Sequence, residues 1–598
     1  MARYTERKTT GIYELAEAWR ESCLKGNGSL LWPGEQVWTV ANLDRFKACF
    51  IDKPDESEDS FEQKFQKQLE GEAEPVTKLA CEILLVYFLF TSSVHRVRKQ
   101  KLIETVAAWK KLIIGAPDAV FPKLLDGIGG TGQAYNTRRP FELAFIAKVA
   151  IRLLAQSPAD RKATLADHLQ FRILLDEIQD EDRLQSRHTL LHLLFPDQYE
   201  RIASVGHKGR IAEAFGDVVG ASALPDDTDD RLYAIRQKLQ QLLPDVNLDF
   251  YCAPLRSCWY EAAESDELSP LQALEIKKQI VFYGPPGTGK THEAKALAEL
   301  LVRRGVLQAW KPGRYFTESR KVDELAISRV RRVQFHPGYG YEDFVRGLQL
   351  ADGGRTVYRP GVLLRLIDDL AAEPEDQRRL PFVVILDEMN RADLSKVLGE
   401  CFSLLEDRDG TVQLGGQDEA PRLVRMPLNL FFIGTMNLID QSLEQVDFAL
   451  RRRFLWFFRG FKREDFLAVA KYRWEALRDQ KQIAREWDRF AEEFEILADR
   501  AIQVNRLIET HPFLGRQYQI GHTYFCDVVS FAGKVLAEEP KRQRLLFTKA
   551  GDAHTPVERL WRYSLKPLIE QYLSGVDTSE RDKVLRNAES ALMKKASA

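Results

Sequence analysis

The chain has 598 residues, 44% hydrophobic and 29% charged, with a formal net charge of −2. That length exceeds what a single hydrophobic core holds, so about three or four structural units are expected. A near-neutral balance gives no electrostatic case for the whole molecule binding nucleic acid or a membrane surface, and the longest apolar runs, such as Ile83 to Phe90, fall short of the roughly 20 residues needed to span a bilayer.

The opening, MARYTERKTTG, is polar and lacks the apolar centre of a signal peptide. Residues 1 to about 220 carry helical periodicity, with apolar residues recurring at three and four over Gly11 to Cys23, Pro75 to Phe90, Lys101 to Leu112 and Arg187 to Leu194. An acidic stretch (Asp52 to Asp59) and a glycine-rich one (Gly127 to Gly132) read as loops. Ala221 to Asp230 reads as a linker, and a helix is expected over Arg231 to Leu243. From Gln279 the texture changes. Short β-rich runs (Ile280 to Tyr283, Val330 to Phe335, Phe382 to Leu386, Leu430 to Ile433) alternate with helical stretches, which predicts a parallel sheet covered by helices on both faces. Beyond about residue 460 the chain is helical again. The expected division is a mainly α region over 1–220, a connecting segment over 221–265, an α/β core over 266–460 and a helical region over 461–598. The seven cysteines are scattered without a CxxC pair, which suits reduced thiols in a cytoplasm.

The first run of the core leads into Gly284-Pro285-Pro286-Gly287-Thr288-Gly289-Lys290-Thr291 and then a helical stretch. Strand, GxxxxGKT, helix is the context of a phosphate-binding loop. Glycines let backbone N–H groups curl around phosphates, and the helix N-terminus adds its dipole. Lys290 would reach the β and γ phosphates, and Thr291 would offer its hydroxyl to Mg2+. Phe382 to Leu386 ends in Asp387-Glu388. Ligands of an open parallel sheet sit beyond the carboxyl ends of its strands. Asp387 would therefore hold Mg2+ through water, and Glu388 would act as general base on the attacking water. The run Leu430 to Ile433 leads to Gly434-Thr-Met-Asn437, where the Asn437 amide would orient that water. Arg451-Arg452-Arg453 follows, at the place for arginines that reach a neighbouring subunit's γ-phosphate; such an enzyme is silent as a monomer and active as a ring.

These elements resemble the AAA+ class, and finer features are similar to its McrB-like branch, the motor subunits of modification-dependent restriction systems. The resemblance is carried by Val333-Gln-Phe-His-Pro-Gly-Tyr-Gly-Tyr-Glu-Asp-Phe344, by Asp387-Glu-Met-Asn-Arg-Ala-Asp-Leu-Ser-Lys-Val-Leu-Gly-Glu400, by Gly434-Thr-Met-Asn-Leu-Ile-Asp440 with Ala449-Leu-Arg-Arg-Arg-Phe454, and by Ile520-Gly-His-Thr-Tyr-Phe525. It implies an AAA+ core with a helical lid, Mg2+ as cofactor, and Asn437 with Asp440 and the finger arginines Arg452 and Arg453 as site residues. It further implies a ring of identical subunits, six being usual in the class, a McrC-type nuclease partner, and an N-terminal region that reads DNA. His522 in the lid either approaches the nucleotide or packs. The family usually has arginine after that aspartate, where this chain has Gln441, which puts the coupling to such a partner in doubt. The loop holds phosphates alone, so ATP and GTP both stay open. MoxR-type remodelling ATPases share the Asp-Glu-x-Asn-Arg opening and form the alternative reading.

In the N-terminal half, His95-Arg-Val-Arg-Lys-Gln-Lys101 with Trp109-Lys-Lys111 is the best basic patch; a solvated helix face is the preferred reading of it, ahead of phosphate binding. Arg187 to Arg210 combines histidines, aromatics and basic residues without a chemistry that can be attached to it. No Asp, Glu and Lys fall at nuclease spacing, so cutting of DNA would belong to another polypeptide.

Overall fold

The computed structural model describes residues 10–124, 127–178, 184–220, 224–260, 267–350, 356–415, 421–439, 448–480 and 482–594. The chain divides into two compact units, Met1–Ala262 with Trp310–Glu318, and Ala263–Ala309 with Ser319–Ala598.

The first unit is helical. Its centre is the helix Glu74–Phe90, whose residues from Leu79 to Phe90 are all buried. A helix that is apolar on every side has no solvent face to offer and becomes the core of its unit. Glu82 on that helix is held by hydrogen bonds from the backbone N–H groups of Leu30 (2.8 Å) and Leu31 (2.7 Å), which offsets the cost of burying a carboxylate. Trp310–Glu318 joins this unit from a distance in sequence: Phe316 stacks on Phe215 and Gly313 N–H donates to Asp217 at 2.7 Å. The helix Lys290–Thr317 is broken at Lys311 (φ 60°, ψ 165°), directly before Pro312, whose ring disfavours helical backbone in the preceding residue.

The second unit contains nine described strands: β1 (Gln279–Gly284), β2 (Val330–Gln334), β3 (Arg346–Leu350), β4 (Thr356–Pro360), β5 (Phe382–Asp387), β6 (Val412–Leu414), β7 (Arg422–Val424), β8 (Leu430–Asn437) and β9 (Leu455–Phe458). Five of them form one parallel sheet in the order β2-β5-β8-β1-β9. The central strands β5 and β8 are buried almost throughout, as expected for strands covered on both faces. β2 is an edge strand and tolerates Arg331, Arg332 and Gln334 in the open. The pairs β3–β4 and β6–β7 are antiparallel hairpins that the periodicity did not signal, because each strand is short and half exposed. From Arg463 to Met593 the unit is helical, around a second core that includes Trp474, Phe494, Phe525 and Trp561. The fold is thus the expected one, a parallel α/β core with a helical lid and a helical N-terminal region. No helix among the described residues is long and apolar enough to cross a membrane.

Candidate functional site

The carboxyl ends of β1, β5 and β8 bring three of the sequence motifs together. β1 ends at Gly284, which lies in register with Asn437, the last residue of β8. Between β1 and the following helix, Gly287 (φ 75°) and Gly289 (φ 74°) take left-handed backbone, which side chains other than glycine's adopt at a penalty. The Lys290 ammonium is drawn into the loop, donating to the carbonyls of Pro285 (2.6 Å) and Gly284 (3.2 Å), and Thr288 Oγ1 donates to Pro285 O at 3.0 Å.

β5 delivers the two acids to the same place. Asp387 is 2% exposed, and its Oδ1 accepts from Thr291 Oγ1 at 2.8 Å and from Thr435 Oγ1. Its Oδ2 accepts from the Arg332 guanidinium, Nε at 2.8 Å. Glu388 sits at φ 55°, ψ 42°, a left-handed conformation that a glutamate adopts at a cost of about 1–3 kcal/mol and that marks sites where side-chain direction matters. Its N–H donates to Thr435 Oγ1 at 3.1 Å, and its carboxylate meets Arg391 (3.2 Å) and the Gln334 amide (3.3 Å). Asn390 Nδ2 donates to Asn437 O at 2.9 Å, tying the turn after β5 to the tip of β8.

The lid closes on the loop. Thr523 donates to Gly287 O through both its N–H and its hydroxyl, each at 3.0 Å. A Cβ on Gly289 would meet His522 Nε2 at 3.4 Å. His522 is 3% exposed, and its Nδ1 is buried without a hydrogen-bond partner among the described residues. Burial pushes this imidazole below its ordinary pKa, and the charges of Arg473 and Lys290 add to that, so the ring is neutral near neutral pH.

The arginine run divides. Arg452 is exposed and pairs at 3.2 Å with Glu406, itself about four-tenths exposed. Arg453 is 8% exposed, donates to Ala449 O at 2.9 Å and lies 4.1 Å over the Phe402 ring. Asp440 and Gln441 lie outside the described residues.

Thr435, Arg332, Gln334, Arg391 and Thr523 were not singled out from the sequence. A threonine inside an otherwise apolar strand was the available signal for the first, since a buried hydroxyl needs a partner. In the N-terminal unit, Lys99 of the basic run turns inward and donates to Phe88 O (3.0 Å) and Thr91 O (2.7 Å). The motif 187–210 is absorbed by packing. His188 meets Lys208 at 3.0 Å, Lys208 in turn pairs with Asp229, and His192 bridges Tyr13 (3.0 Å) and Tyr199 O (2.9 Å).

The loop geometry and the oxygen-rich acids suit a nucleoside triphosphate with Mg2+. Left-handed glycines open a backbone cradle, Thr291 and Asp387 converge at hydrogen-bond distance, and both are oxygen donors of the kind Mg2+ takes. Among the described residues no group of three or more His, Cys, Asp or Glu could hold a metal ion.

Two families match the chain: an AAA domain of the dynein-related subfamily over residues 279–454, and the α-helical lid domain of McrB over 496–579. The chain is 34% identical over 261 residues to the type IV methyl-directed restriction enzyme EcoKMcrB subunit of Escherichia coli K12, covering 43% of this chain and 49% of that protein. It is 25% identical over 235 residues to the type II restriction enzyme BsuMI component YdiS of Bacillus subtilis, covering 33% of this chain and 59% of that one. The chain thus spans about half the length of the curated relatives it matches.

Proposed function

We propose, starting from a chain whose core and lid make it an McrB-like AAA+ NTPase, that it hydrolyses ATP or GTP with Mg2+ in a ring of identical subunits, six by analogy with its class, and drives DNA translocation or remodelling for a separate McrC-type nuclease in bacterial defence. The carrying observation is the 2.8 Å contact between Thr291, the first residue past the loop lysine, and Asp387 at the end of β5. That residues 96 positions apart meet there supports a shared phosphate and cation site. Gly284, Pro285, Pro286, Gly287, Thr288, Gly289 and Lys290 cradle the phosphates, while Thr291 and Asp387 hold the cation. Glu388 takes the proton of the attacking water, and Asn437 orients that water. Arg452 is the finger arginine presented at the surface; Arg453 supports it from inside.

A restriction role is supported by both relatives' being restriction-enzyme components and by the McrB-type lid, which favours this reading over a MoxR-type remodelling ATPase. The N-terminal unit is then the target-reading part, by position in the family, and the nuclease belongs to a partner chain.

Phosphate release from ATP and from GTP, each with and without DNA, tests the reading. Lys290→Ala should abolish nucleotide binding, and Glu388→Gln should bind nucleotide without turnover. Unchanged turnover in either variant refutes the site assignment.

A further inference from the structure

Asp387 has a second claimant. Its carboxylate is buried, two neutral hydroxyls occupy Oδ1, and Oδ2 faces the Arg332 guanidinium through Nε and a terminal nitrogen. Arg332 comes from the edge strand β2, two residues before Gln334, which lies in register with Asp387. Its side chain is 54% exposed while that of Asp387 is 3% exposed, so the guanidinium reaches in from solvent and can leave without stranding itself. A buried carboxylate without a counter-charge is strongly disfavoured. On the proposed function, that same oxygen pair must serve the hydrated Mg2+ of a bound triphosphate. Two cations thus contend for one acid.

Resting on that reading, we infer that Arg332 is a positioning residue that competes with Mg2+ for Asp387 and so sets how strongly nucleotide binding depends on the cation. With Arg332 on Asp387, the acid is neutralised, and a triphosphate entering without Mg2+ meets less repulsion. With Mg2+, the guanidinium must let go, which weakens the cation-loaded complex. Both effects compress the difference between binding with and without Mg2+. Removing the guanidinium widens it from both sides.

The test is equilibrium binding of ribose-labelled, non-hydrolysable ATP and GTP analogues to the full-length chain, in excess Mg2+ and in EDTA. The quantity read is the ratio of the two dissociation constants. Arg332→Met, which keeps the aliphatic stem, should raise that ratio about tenfold, the low end for a charge-assisted pair with one partner half in water. Arg332→Lys should stay closer to wild type, because it restores the charge without the fork. A ratio within about twofold of wild type overturns the inference, as does an equal loss of affinity under both conditions, which would make Arg332 a phosphate contact or a structural group. If the wild-type chain binds neither analogue with Mg2+, the nucleotide-site reading itself fails and the inference falls with it. Wild-type binding with an unmoved ratio in Arg332→Met removes the inference alone.

Discussion

Thr435→Val isolates the positioning of the two acids from their presence. Valine matches threonine in shape and suits a central strand, so the sheet should accept it. Two hydrogen bonds disappear: the one Thr435 donates to Asp387 Oδ1 and the one it accepts from Glu388 N–H at 3.1 Å. A bond to a charged acceptor contributes about 1.5–3 kcal/mol, and a buried N–H left unmade costs about 1–3 kcal/mol. Thr291 still donates to the same oxygen of Asp387, so the first loss is partly covered. The second falls on a residue already in left-handed backbone, which lets Glu388 relax away from its aim. Assigning about 2 kcal/mol of this to the transition state gives a turnover roughly 30-fold below wild type. Affinity for the nucleotide should move little, since the loop is untouched. Phosphate release at saturating nucleotide gives the first number and binding of a labelled analogue the second. Thr435→Ser should recover most of the activity. Turnover within about threefold of wild type in the valine variant refutes the reasoning, and so does a loss confined to affinity.

Four further outcomes follow from contacts elsewhere in the chain. Gly521→Ala would place a Cβ 2.3 Å from both Gly287 C and Pro286 O; backbone meets backbone there, so the lid must lift from the loop, and nucleotide affinity should fall by about tenfold or more, the scale of a typical overpacking penalty. Arg452→Ala should leave thermal unfolding unchanged yet silence turnover by about a thousandfold, and mixing it with Glu388→Gln subunits should restore activity; no rescue at any ratio counts against action across a subunit boundary. Arg453→Ala should instead lower the unfolding midpoint of the core, because a desolvated guanidinium over Phe402 contributes about 2 kcal/mol. For pH, burial lowers the folded pKa of His192 to about 3, against about 6.5 unfolded. The unfolded chain therefore binds the extra proton between those values. This contribution to stability is complete above about pH 6.5 and declines as pH falls toward 3, by about 1.4 kcal/mol per unit. His192→Gln should flatten the acid limb of a denaturation-midpoint profile followed by tryptophan fluorescence; an equally steep limb would assign it to other groups.

What was legible in the sequence was what has a short-range signature. The loop is contiguous from Gly284 to Thr291, and strands β5 and β8 are apolar runs because both their faces are covered. β9, Leu455–Phe458, carries no strand signature of its own, because it is four residues long and begins one residue past three arginines. Partners supplied from across the sheet left no mark of their own. Arg332 and Asp387 are 55 residues apart, and nothing in Val-Arg-Arg-Val-Gln says which arginine turns toward a carboxylate. The unassigned motif 187–210 was misleading in the opposite way. Its histidines and basic residues look like chemistry, yet His192 and Lys208 are fully or nearly fully buried and committed to partners. A buried polar residue must be satisfied, and inside a helical unit satisfying it consumes residue types that elsewhere mark a site.

The arginines around the acids can be sorted by what each would lose on moving. Arg453, itself buried, would abandon the half-buried Phe402 ring, a carbonyl and the Glu406 carboxylate that it shares with Arg452, so it is fixed. Arg332 and Arg391 hold Asp387 and Glu388 from half-open positions, so each can be displaced, provided something replaces its charge. Arg452 gives up a pair with both partners substantially exposed, and such surface pairs contribute about 0–1 kcal/mol. A residue that must leave its own subunit to meet a neighbour's phosphate has to be of this last kind. A catalytic acid that must not act before nucleotide and cation arrive is, in turn, best held by cations of the second kind. The placement of the three groups thus separates a structural arginine, two local holds on the acids and one arginine available to a neighbour, from burial and pairing alone.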